Sequence, residues 1–306
     1  MLPSTFFSVL VVSSVGGVLS HLFIVLCLFL PQGEEGKKKL GQSVTLAYRY
    51  VAGSNLLFCL SNPGVSFQCL QKNFCFDHRI ISQLLFVFNC MTLYCTIWFT
   101  AILCLFYCIK ILQSVNSLFL KLKSNISMLL RWSMASGILV NSFSSSYIFL
   151  MDTCRLLIIQ NKTDTNVQNS PSNVFMEALY GLFYIIFPSV VTLLSCLTIM
   201  IYLCRHIIKI KNRLKDTQSC LERQRRVVIL FSTQLFLYIV IIVSSLKSYS
   251  FYTICKEANY VFFEVNSLCC WAMAANLILQ NRFLRWKLEN ILTSFRQLVL
   301  RIKQKC

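Results

Sequence analysis

The chain has 306 residues, 56% of them hydrophobic and 13% charged, with a net charge of +18 and a mean hydropathy of +0.65. That is too apolar for a water-soluble globular domain, in which charged residues make up about a quarter. Nor does the basic balance point to nucleic acid, because the Lys and Arg residues fringe apolar runs instead of forming a basic domain of their own.

Runs with few or no charges occupy residues 4–30, 43–64, 81–109, 127–151, 178–204, 227–246 and 258–281. Each matches or exceeds the roughly 20 residues that a helix needs to cross about 30 Å of hydrocarbon. Backbone groups in lipid must be satisfied within the segment, so each run is predicted to be a helix. A porin-like barrel would show alternating strands of about ten residues, and none is visible. Residues 1–306 thus read as one all-α membrane domain, a seven-transmembrane helix bundle. The first run has no basic residue before it and "GKKKL" after it, so it is expected to be a retained helix and not a cleaved signal. Beyond the seventh run, Phe283, Leu284, Leu288, Ile291, Leu292, Phe295, Leu298 and Val299 recur at helical spacing, with basic residues on much of the other face. Residues 282–303 are therefore predicted to form an amphipathic helix along the inner leaflet.

With the N-terminus outside and seven crossings, the cytosolic segments hold 22 Lys and Arg residues and the outer loops hold six. That bias sets the expected orientation, a multi-pass plasma-membrane protein with an extracellular N-terminus and a cytoplasmic C-terminus. The basic fringe would meet anionic membrane lipids and a cytosolic partner. The same topology puts the sequon at Asn161 outside, where it is expected to be glycosylated, and leaves the one at Asn125 bare in the cytosol. Most of the sixteen cysteines lie inside the spans, where thiols pack as small hydrophobes. Cys69, Cys75, Cys154 and Cys255 sit near the outer face, and any pairing among them stays open.

Nothing in the chain suggests an enzyme, a cofactor or a metal. G-x-G-x-x-G, G-x-S-x-G, H-E-x-x-H and C-x-x-C are absent, and the three histidines are scattered over both sides of the membrane. A transporter would be expected to show internal repeats, broken helices or intramembrane ion pairs. Seven spans do not halve, and no repeat is found. Arg49 is the one ionisable residue well inside a span; snorkelling or bonding to a neighbouring helix and a functional role both remain open. Seven helices, an outer N-terminus, a basic cytosolic face and an eighth amphipathic helix together favour a G-protein-coupled receptor.

The third run and its sequel carry a more specific signal. "IWFTAILCLFYCIKI" followed by "LFLKLKSNI" resembles the third helix and second intracellular loop of the type 2 (bitter) taste receptors. The matching positions are Ile97, Trp98, Phe99, Leu103, Phe106, Tyr107, Lys110, Ile111, Phe119, Leu120, Leu122, Lys123 and Ile126. Arg49, Pro188, Leu203 with His206, Leu237-Tyr238, and Leu277-Ile278-Leu279-Gln280-Asn281 with Leu284 resemble family features in the other helices. The chain departs from the pattern at His21, at Met273-Ala274, at "ERQRRVVIL", and at Leu93, where the family has a ligand-contacting asparagine. A D-R-Y after the third helix and an N-P-x-x-Y in the seventh are absent, unlike ordinary rhodopsin-like receptors. The related vomeronasal type 1 pheromone receptors are the alternative, with a membrane transporter behind them.

Ligand sites in helical bundles lie between helices and are mostly apolar with a few placed polar groups. Asn89 and Leu93 share a face of the third helix, continued by Thr96 and Thr100. Glu177, Tyr180 and Tyr184 align on the fifth. Tyr238 and Glu264 would reach a common cavity, in which each tyrosine could equally bond a neighbouring helix. Asn89, Leu93, Tyr180, Tyr184, Tyr238 and Glu264 are the expected contacts for a small-molecule agonist. The resemblance further implies a heterotrimeric G protein of the gustducin/transducin type, facing Tyr107, Lys110, Leu122, Lys123, His206, Lys209, Arg213 and Arg225.

Overall fold

The structure, a computed structural model, describes residues 2–29, 42–70, 79–112, 120–121, 124–160, 185–213, 218–247 and 260–305. These form eight helices and, among the described residues, no strand: α1 (Leu2–Phe29), α2 (Gln42–Leu70), α3 (Arg79–Ile111), α4 (Ile126–Gln160), α5 (Phe187–Arg213), α6 (Gln218–Lys247), α7 (Tyr260–Gln280) and α8 (Arg282–Lys305). Most overrun the apolar runs that predict them, α6 by nine residues at its start. Hydropathy marks the hydrocarbon layer, whereas backbone hydrogen bonding carries a helix on into the polar zone.

Pairs across the helix seams show how the helices run. Ser54 meets Thr96 and Ser61 meets Asn89, so as α2 advances seven residues, α3 retreats by seven. Asn55 with Cys270 and Asn62 with the Phe263 carbonyl repeat that antiparallel register between α2 and α7. Ser244 with Asn266 and Gln234 with Asn276 do so between α6 and α7. By contrast, α3 and α5 run parallel: Trp98 lies near Phe187, and Cys104 near Cys196. The helices therefore alternate in direction, as successive crossings of one membrane require.

α3 is the central helix, packed against α2, α4 and α5, and α7 closes the ring against α1, α2 and α6. Trp98 on α3 shows how closely these helices approach. Its indole donates to the Ser133 carbonyl on α4 at 3.2 Å, and it lies directly over Gly137, where a Cβ would collide with the ring. Small residues permit such backbone approach in membrane helices, where lipid supplies no hydrophobic drive.

α1, α3, α5, α6 and α7 are each long and apolar enough to span a membrane by composition. α2 and α4 have the length, 29 and 35 residues, but more polar sequence. In α2 the polar groups Ser54, Asn55, Ser61, Asn62 and Ser66 are all buried inside the bundle. A span whose polar groups are paired by neighbouring helices need not be uniformly apolar. Large apolar side chains such as Leu19, Leu139, Phe143, Leu194 and Phe236 cover the outside, which suits lipid and would be a liability in water.

Arg49 bonds a neighbouring helix. Its guanidinium donates to the Leu28 carbonyl in the last turn of α1 and lies 4.4 Å from the centre of the Phe29 ring. A cation at a helix C-terminus satisfies carbonyls left without intrahelical partners and complements the dipole. At the far end of the chain, Asn281 caps α8 by accepting the Phe283 amide at 3.0 Å.

Candidate functional site

Leu93 and Tyr238 meet in one buried cluster with Phe58, Ile97 and Met273, where α2, α3, α6 and α7 converge. The Tyr238 side chain is fully buried. Its hydroxyl faces Thr192 and Ser189 of α5 but stops short of hydrogen-bond geometry and completes no bond. Both α5 hydroxyls donate back to their own helix, Thr192 to the Pro188 carbonyl at 2.8 Å and Ser189 to the Ile185 carbonyl. Their oxygens keep lone pairs free. The three hydroxyls of Tyr238, Thr192 and Ser189 thus form a small polar spot in an otherwise apolar seam.

Asn89 lies elsewhere. Its Nδ2 donates to Ser61 Oγ on α2 at 2.9 Å, and Thr96, one face further along, turns to Ser54 of the same helix. Thr100 is buried, and its hydroxyl completes no bond. Glu264 is half-buried in the second turn of α7, next to Phe263, whose carbonyl accepts from Asn62. Among the described residues no hydrogen bond or ion pair joins Asn89, Tyr238 and Glu264 to one another. Glu177, Tyr180, Tyr184 and Asn161 lie outside the described residues.

At the opposite end of the bundle, Tyr107 is packed between helices and does not stand free. Its hydroxyl meets that of Tyr48 on α2 at 2.8 Å, and its ring lies edge-on to Phe231 of α6 at 5.8 Å. Lys110, one turn on, is exposed with its ammonium 5.9 Å from the Phe106 ring centre. His206 on α5 stacks on Tyr202 and accepts from Gln224 Nε2 on α6 at 2.9 Å. Lys209 and Arg225 are exposed beside it, and Arg213 ends α5. Leu122 and Lys123 lie outside the described residues. Sequence reasoning missed the partners Ser61, Tyr48 and Gln224. Only the seven-residue spacing of Ser54 and Ser61, matched by Asn89 and Thr96, signals one of those pairings.

An alternating seven-helix bundle, sheathed in apolar side chains and followed by an amphipathic helix, defines a multi-pass membrane protein with the architecture of G-protein-coupled receptors. The chain belongs to the taste receptor protein family (TAS2R), whose model matches residues 1–296. It is similar to taste receptor type 2 member 39 of Mus musculus, at 29% identity over 163 residues and 48% of each chain. Taste receptor type 2 member 3 of Papio hamadryas is 24% identical over 169 residues, 54% of each chain. Member 39 of Rattus norvegicus is 29% identical over 169 residues, 52% of this chain and 51% of that one. The chain thus spans about half the length of the curated relatives it matches. The resemblance carried by Ile97 to Ile126 is borne out.

Proposed function

We propose that the chain is a bitter taste receptor of the plasma membrane, with its N-terminus extracellular and its C-terminus cytoplasmic. It binds small organic tastants within the bundle and activates a heterotrimeric G protein of the gustducin/transducin type. The family match over residues 1–296 carries this reading. An agonist works through its differential affinity for two helix arrangements, and the α3–α5–α6–α7 seam is where it would act. Leu93 and Tyr238 form the floor of that site and Glu264 its mouth, and Tyr180 and Tyr184 complete the proposed set of contacts. Asn89 reaches the ligand by exchanging its bond to Ser61. The polar spot of Tyr238, Thr192 and Ser189 inside an apolar seam supports the assignment, since ligand sites combine apolar walls with a few placed polar groups.

G protein docks at the opposite end, against Lys110, Leu122, Lys123, His206, Lys209, Arg213 and Arg225, and against Tyr107 once its bond to Tyr48 opens. The test is a calcium-response screen of bitter compounds in cells carrying the chain with a promiscuous G-protein α subunit. Any hit is then assayed on purified receptor. Agonist-stimulated nucleotide exchange without solute accumulation in proteoliposomes is expected. Uptake driven by an ion gradient, with no exchange, would replace the receptor with a transporter.

A further inference from the structure

A cleft of about 500 Å³ opens between α6, the end of α7 and the start of α8, beside the residues assigned to G protein. Glu222, Arg226 and Leu230 line it from α6, Leu279 from α7, and Arg282 and Arg285 from α8. Three arginines and one glutamate therefore line the cleft, and among the described residues none of the four is ion-paired. Arg282 and Arg285 also stand at the start of α8, where the helix dipole favours an anion. Gln280 adds a donor, since its Nε2 is buried in the cleft wall and completes no bond. Every unmatched polar group here except Glu222 donates. The occupant must be rich in acceptors and carry about two negative charges.

Its depth narrows the choice. Beyond the cleft, α8 exposes Trp286, Ile291, Leu292 and Phe295, an apolar face that seats the helix at the boundary of headgroups and acyl chains. The cleft is thus at headgroup level, and Leu230 and Leu279 give it an apolar side. A phosphomonoester carries about −1.5 to −2 charges near neutral pH, which matches three arginines less one glutamate. A phosphodiester or serine headgroup does not. Guanidinium forks also bind phosphate oxygens two at a time.

We propose that this cleft binds the phosphomonoester headgroup of an acidic phospholipid from the leaflet on which α8 lies. Arg226, Arg282 and Arg285 grip the phosphate, and Gln280 donates to one of its oxygens. Occupancy ties α6 to α8. The proposal needs neither tastant nor G protein; only the name of the leaflet, cytosolic, rests on the orientation proposed above.

The test reconstitutes the full chain in phosphatidylcholine vesicles doped with phosphatidylinositol bisphosphate, or with phosphatidylserine at equal total charge. Saturable binding of the bisphosphate lipid is expected, with phosphatidylserine at least about tenfold weaker. Arg282→Gln with Arg285→Gln should weaken the bisphosphate lipid about tenfold, while Arg296→Gln with Arg301→Gln, further along α8, leaves it unchanged. Arg282→Lys with Arg285→Lys keeps the charge but loses the fork, so an intermediate loss is expected; this pair decides the matter if the glutamine pair unfolds. Equal losses in the two glutamine pairs, or equal binding of the two lipids, would overturn the site in favour of diffuse surface charge. Soluble inositol trisphosphate binding as tightly as the lipid would overturn the lipid assignment.

Discussion

The hydroxyls of Tyr48 and Tyr107 meet at 2.8 Å and join α2 to α3 at the end of the bundle that carries the basic segments. Tyr48 is fully buried, so the bond holds Tyr107 inward against Phe231 and away from the surface proposed for G protein. Tyr48→Phe keeps the ring and removes the bond. Interhelical hydrogen bonds in membranes average about 0.6 kcal/mol, a factor of about three in a two-state equilibrium. Basal nucleotide exchange in purified Tyr48→Phe receptor should rise about threefold at unchanged surface expression. Unchanged basal exchange would make the pair merely structural.

The helices were legible in the sequence because a membrane span demands length and apolarity together, and α8 because its apolar spacing is strict. Partners were less so. Asn89, Leu93, Thr96 and Thr100 do share a helical face, yet Asn89 and Thr96 turn to α2 while Leu93 joins the cluster that holds Tyr238. α3 packs against α2, α4 and α5, so a shared face does not select one neighbour. Tyr107 shows the same limit. A tyrosine near a basic loop reads as surface, but Tyr48, nearly sixty residues earlier, holds it inside.

Trp98 and Gly137 give a packing test. A Cβ at Gly137 would strike the indole, whereas one at Gly53 meets nothing within 4 Å. Gly137→Ala should therefore displace Trp98, weaken its bond to Ser133, and destabilise the bundle by about 1–3 kcal/mol. Gly53→Ala should be neutral or stabilise by about 0.5–1 kcal/mol. Thermal unfolding of the two variants in detergent, with surface expression beside it, reads both. Equal stability would mean that α3 and α4 are not held together at this contact.

Orientation has its own readout. Asn161 should carry glycan and Asn125 should not, because only the former faces the lumen in the proposed topology. Asn125 is exposed in the turn before α4, where its Nδ2 donates to the Lys121 carbonyl at 3.3 Å. Asn161→Gln is expected to shift the band on a gel, and Asn125→Gln to leave it in place. The reverse pattern would invert the protein in the membrane.

Asn89 tests the ligand site. Its bond to Ser61 is one interhelical contact of about 0.6 kcal/mol, and Ser61 keeps a bond to the Phe58 carbonyl at 3.1 Å when it is lost. Asn89→Ala should therefore reach the surface nearly normally while agonist potency falls. Leu93→Asn, beside Tyr238 in the buried cluster, puts the family's polar group back on the expected wall and should partly restore potency in that background. Normal expression with unchanged potency would remove Asn89 from the site.

His206 and Gln224 bridge α5 and α6 at 2.9 Å, near enough for a metal clamp. Zinc binds imidazole nitrogen at about 2.0–2.1 Å, so Gln224→His would set two imidazoles on facing helices around one ion. Where signalling moves the cytosolic end of α6 away from α5, a bound zinc ion resists that movement. Zinc should then suppress agonist-stimulated nucleotide exchange in Gln224→His receptor, with recovery on adding a chelator. Wild-type receptor and Gln224→His with His206→Ala should not respond, because each lacks one of the two imidazoles. Zinc that binds the double-histidine site yet leaves exchange intact would show that α5 and α6 keep their spacing during signalling. The activating movement would then lie on the other side of α6, against α7.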